Sequence, residues 1–138
     1  CLFWHRENRI MNKLLVTLVT IAGFQFILFG IMWVASPYNI AASFGIYSFA
    51  EGLGLSSQIG DVGAYFTGIG LMMLLAVYTL NSVWFYAPAL LLGLTAVYRV
   101  LAWVILDASF ATQFIAGEVL LVVLLMLTAS RVVKKSNI

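Results

Sequence analysis

Arg99 lies inside an apolar run, Trp84 to Ile105, and Glu118 lies inside the next one, Phe110 to Ser130. A guanidinium and a carboxylate in neighbouring apolar segments can form a charge-assisted hydrogen bond, hold two helices in register, or present a polar point to a bound molecule. Four further polar residues fall near the same level. Asp61 stands at the head of one apolar segment with Tyr65 one turn below it, Gln113 is just over one turn from Glu118, and Asp107 lies between the two charged runs. Gln25, near the middle of the first run, reaches the patch from below. Arg99, Glu118, Asp61, Tyr65, Gln113 and Asp107 are therefore the candidate polar patch, structural or ligand-binding.

The elements that carry these residues follow from composition. With 64% hydrophobic residues, 9% charged residues and a mean hydropathy of +1.08, the chain is far more apolar than soluble domains are. A membrane-crossing helix needs about 20 mainly apolar residues. Segments 14–36, 62–80, 84–105 and 110–130 meet that need, and no alternation of the β-barrel kind is present. The expected fold is all-α: an integral membrane antiparallel four-helix bundle forming a single transmembrane domain over 1–138.

Between the first two spans, Ser36-Pro37 reads as a helix cap followed by proline in the first turn, and Gly45 as a stop. This predicts a short interfacial helix ending at Phe44, with Ile40, Phe44 and Tyr47 at helix-like spacing; a simple re-entry cap is the alternative. Residues 51–60, rich in Gly and Ser, read as flexible loop. Short turns are expected at 81–83 and 106–109. Close helix approach is signalled by Gly63, Thr67 and Gly70, by Ala64 and Gly68 on a second ridge, by Gly93 and Ala96, and by Thr20 and Gly23.

Arg99 is seven residues before Leu106 and Glu118 is eight after Phe110. At 1.5 Å per residue these are depths of about 10 and 12 Å from the same end of the bundle. Since an unpaired charge at such depth costs about 2.5–3.5 kcal/mol, the two are expected to face each other. Asp61 and Asp107 come within reach of the long arginine side chain, which can snorkel towards the surface.

Six of the seven basic residues flank the ends of the chain and none lies in a connection between spans. The positive-inside rule then expects both termini in the cytoplasm of a bacterial inner membrane, with the polar patch in the outer leaflet. The net charge of +2 comes from these flanks and fits contact with anionic lipids; nucleic-acid binding is not implied. Met11-Asn12-Lys13 looks like a bacterial start, so residues 1–10 read as upstream readthrough or a misassigned start. Cys1 as a lipoprotein anchor would oppose the basic flanks, and a single cysteine cannot form an internal disulfide.

The sole histidine, His5, and the sole cysteine sit in the first ten residues, so the spans hold no ligand set for a metal or haem and no Ser-His-Asp or Cys-His system. No metal and no cofactor are expected; a bound lipid or quinone is compatible. The expected role is non-catalytic: an accessory or assembly subunit packed against other integral membrane subunits. The alternative is a binder or carrier of an amphipathic lipid, quinone or organic acid. Proton handling fits poorly, because the interior offers one acid.

The motifs Phe29-Gly30, Ser36-Pro37, Phe44-Gly45, the run Gly63-Ala64-Tyr65-Phe66-Thr67-Gly68-Ile69-Gly70, Tyr98-Arg99 and Glu118 extend over nearly the whole chain. In these the chain resembles the small four-span bacterial membrane proteins distantly like the DoxX group. That resemblance implies a four-helix inner-membrane fold with polar residues in its outer half and no established reaction. A basic residue common just before the second span in that group is replaced here by Gln58 and Asp61.

Overall fold

The computed structural model describes residues 2–133. Cys1, Lys134 and Lys135, and with them the anchor expectation and part of the basic flank, lie outside the described residues. Five helices follow in order: α1 (Leu2–Ala35), α2 (Pro37–Ser43), α3 (Gly52–Thr79), α4 (Ser82–Leu106) and α5 (Thr112–Val132). All but α2 are long and apolar enough to cross a membrane. The protein is a multi-pass integral membrane bundle, with α1 and α4 running opposite to α3 and α5.

Glycines decide how α1 meets α3. Gly23 and Gly30 on α1 face Gly70 and Gly63 on α3, each pair seven residues apart. A Cβ on Gly70 would stand 2.6 Å from the Gly23 carbonyl oxygen and 2.9 Å from the Ile27 nitrogen. The two backbones are thus in direct contact, which only residues without a side chain permit. Gly30, which carries no packing signal in its sequence neighbourhood, would collide with the Thr67 hydroxyl if it had a Cβ. The second expected ridge is not a contact: Ala64 is exposed and a Cβ on Gly68 meets nothing within 4 Å.

Helix boundaries differ from expectation where backbone bonding overrides residue type. Residues 52–60, read as loop, form the first turns of α3. They are held there because Trp33 Nε1 donates to the Gln58 carbonyl at 3.2 Å and the Ala50 N–H donates to Gln58 Oε1 at 3.1 Å. The first connection therefore shortens to 44–51, and Asp61 moves from the start of a span into a continuous helix. Helix α1 begins at Leu2, ahead of Leu14, and at 34 residues spans about 50 Å, longer than the hydrocarbon layer. Helix α5 starts at Thr112.

Helix α2 is the expected short helix, with Pro37 in its first turn, Phe44 as its cap and Gly45 at φ +77. Ser36 does not cap it through its side chain; its Oγ accepts from Asn39 Nδ2 at 2.9 Å instead. Tyr47 lies beyond the helix and is exposed, so the predicted apolar stripe stops at Phe44. The α3–α4 turn is Leu80-Asn81, where Asn81 Oδ1 accepts from the Val83 N–H at 3.0 Å and caps α4.

The main cluster of buried side chains lies in one half of the bundle. Val19, Ile69, Met73, Phe85, Leu92 and Leu125 are buried together towards the end that carries the chain termini. Towards the opposite end, where α1 leads into α2 and α4 into α5, the helices line a half-open cavity. Where the long helices pack on one another, α1 and α5 do so least extensively.

Candidate functional site

Each of the four long helices contributes a stripe to the cavity wall. Helix α3 supplies Gln58, Val62, Tyr65 and Phe66, and α5 supplies Gln113, Phe114, Gly117, Glu118 and Leu121, both at helical spacing. From α1 come Ala22, Gln25, Phe26, Phe29 and Trp33, and from α4 come Leu92 and Arg99. Phe44 and Ile46, just past α2, cover the end. The space is about 460 Å³, within the range of small-molecule sites.

Arg99 and Glu118 meet on this wall. Arg99 Nε donates to Glu118 Oε1 at 2.8 Å, as the matching depths predict. Glu118 is 8% exposed, whereas 35% of the Arg99 side chain is accessible. The guanidinium carbon sits 4.8 Å from the Phe114 ring centre, a cation–π contact. Phe114 precedes Glu118 by four residues, so one face of α5 supplies both the anion and the aromatic surface for the same cation. Glu118 Oε2 is buried without a hydrogen-bond partner. A buried acceptor left unpaired costs about 1–3 kcal/mol, more when charged.

Tyr65 faces the cavity, but its hydroxyl is shared with Thr95 Oγ1 at 2.6 Å, and Thr95 Oγ1 also bonds the Leu91 carbonyl at 2.8 Å. Thr95 was legible as a partner only through its position, four residues before Arg99 on the same face of α4. Gln25 and Gln113 line the cavity while remaining exposed, so both amides stand at its rim.

No family model, curated protein or solved structure matches this chain. The site is therefore characterised by its own geometry. Arg99, Glu118, Tyr65 and Gln113 come together around one space, joined by Gln25. Asp61 and Asp107 do not. Asp61 lies beside the α3 stripe and is exposed. Asp107 caps α4 in the left-handed region at φ 53, turned out into the connection. Both carboxylates remain where water and head groups can solvate them, and neither enters the apolar wall.

The rest of the wall is apolar and rich in aromatic rings. Phe29 packs against Phe66 and Phe44 at 5.0 Å, and Phe44 reaches Phe114 at 5.5 Å. The 44–51 connection is thereby tied across to α5 over the end of the cavity. Nothing in the expected motif set pointed to Phe114 or to this bridge. The arrangement can hold an apolar body against rings while offering donors and an acceptor at one spot; it positions no nucleophile beside a base.

Proposed function

We propose that the chain binds an amphipathic small molecule in the bundle cavity, its apolar part against the phenylalanines and its head at Arg99 and Glu118. The observation that carries this reading is a cavity of about 460 Å³ with apolar and aromatic walls whose only full charges are that pair. Lipids, quinones and organic acids all have the required two-part chemistry. The reading is of binding or carriage, without catalysis by this chain alone.

The accessory-subunit reading is the second one. It rests on the small mass outside the spans and on the exposed apolar faces, though lipid alone requires such faces. We further propose a bacterial inner-membrane location with both termini cytoplasmic, supported by the basic flanks, and kinship with the DoxX-like group, supported by the motifs quoted above.

Purification in mild detergent, followed by native mass spectrometry of everything that co-migrates, tests these readings. A defined small molecule at one per chain, lost in the Arg99→Leu, Glu118→Leu variant, is the expected result. Stoichiometric larger membrane proteins retained by that variant, with no small molecule, would replace it with the accessory role.

A further inference from the structure

The ion pair is joined at a single point. Arg99 Nε serves Glu118 Oε1 at 2.8 Å; among the described residues neither Nη group donates to the protein, and Glu118 Oε2 accepts from nothing. A guanidinium and a carboxylate commonly form two parallel bonds. This geometry instead leaves donors and one acceptor side by side, on a pair whose charges cancel. No other charged side chain lines the cavity. The remaining polar groups there are the Gln25, Gln58 and Gln113 amides and the Tyr65 hydroxyl, which Thr95 already engages.

Resting on the reading that this cavity holds an amphipathic molecule, we infer that the molecule's head is uncharged and bears a hydroxyl group. The hydroxyl hydrogen is donated to Glu118 Oε2, and its oxygen accepts from an Arg99 Nη group. A fully ionised phosphate or carboxylate head has no proton to donate. It would set a second anion against Glu118, which is 8% exposed in surroundings that screen charge weakly. A cationic head would meet the guanidinium. A ketone accepts from Arg99 but leaves Oε2 unpaired. Monoacylglycerols and long-chain alcohols satisfy both partners; alkyl phosphates, fatty-acid anions and ketones do not.

The test compares four probes with C12 chains, added to the delipidated full chain at pH 9: monolauroylglycerol, laurate, dodecyl phosphate and 2-tetradecanone. Affinity is read by native mass spectrometry, with Gly117→Leu and Ala22→Leu as two independent variants that fill the cavity. Monolauroylglycerol is expected to bind at least tenfold tighter than each of the others, at a site abolished by either filling variant. Glu118→Gln, which removes the anion, is expected to shift the ratio towards laurate by at least tenfold. Laurate, dodecyl phosphate or the ketone binding the native chain as tightly as monolauroylglycerol, still sensitive to filling, would overturn the hydroxyl inference and leave cavity binding standing. Absence of filling-sensitive binding by any probe would overturn both. The comparison on the native chain stands whether or not Glu118→Gln folds.

Discussion

Removing either member of the ion pair should destabilise the bundle to very different extents. In Arg99→Leu, Glu118 stays 8% exposed with both oxygens unpartnered. Stranding one member of a buried pair costs about 3–5 kcal/mol, and because Arg99 is part-exposed the loss should fall at the low end, about 3 kcal/mol. In Glu118→Leu, the arginine keeps its contact with Phe114 at 4.8 Å, has 35% of its side chain accessible and can redirect towards the head groups. That loss should be about 1 kcal/mol. The Arg99→Leu, Glu118→Leu variant carries no stranded charge and should lose about 1–2 kcal/mol, giving a coupling of about 2–3 kcal/mol. Reversible unfolding in bicelles, followed by steric trapping, measures all four corners of the cycle. Equal losses in the two single variants, or a double variant whose loss is their sum, would refute the burial asymmetry and the pairing respectively.

Three further outcomes are expected. Gly70→Ala should cost about 1–3 kcal/mol in the same unfolding assay, because its Cβ would stand 2.6 Å from the Gly23 carbonyl, whereas Gly68→Ala, with open space around it, should be neutral or stabilise by up to about 1 kcal/mol. Tyr65→Phe and Thr95→Val should each lose about 0.6 kcal/mol, the usual worth of a hydrogen bond between membrane helices, and the double variant should lose little more than either alone. Gly117→Leu should unfold like the native chain, since a Cβ there meets nothing within 4 Å, yet lose any co-purifying ligand in native mass spectrometry.

The bundle, its spans and the central pair were legible because each follows from a strong constraint: helix length against bilayer thickness, and the cost of a lone charge at depth. Gly63 and Gly70 were legible as contact residues, but Gly68 was not separable from them, since three glycines within eight positions cannot tell which face meets a neighbour. The start of α3 was hidden because Gly and Ser dominate 52–60, whereas in the structure backbone bonds run from Glu51 onward and Gln58 is tied to Trp33 and Ala50. Asp61 and Asp107 were joined to Arg99 only by the reach of its side chain. Reach says nothing about direction: Asp61 lies beside the α3 stripe and Asp107 in the connection after α4, so both fall outside the cavity. Phe44 and Phe114 were invisible as partners because 70 residues separate them in sequence.

A register pin would have no need of this location. Helices α4 and α5 are already joined by the short 107–111 connection and share the packed half of the bundle, where Phe85, Leu92 and Leu125 are fully or almost fully buried. A salt bridge added only to fix register is least costly when both of its bonds are made, since every unpaired polar atom in the interior is a loss. Arg99 and Glu118 make one bond, at the edge of unfilled space, with one carboxylate oxygen unpaired. Opposite them, the glycine contact holds α1 on α3, α1 packs far less extensively on α5, and Gln25 and Gln113 stand at the rim of the cavity. The unpaired oxygen of Glu118 therefore borders open space from which a bound molecule could donate to it, as the proposed binding role requires.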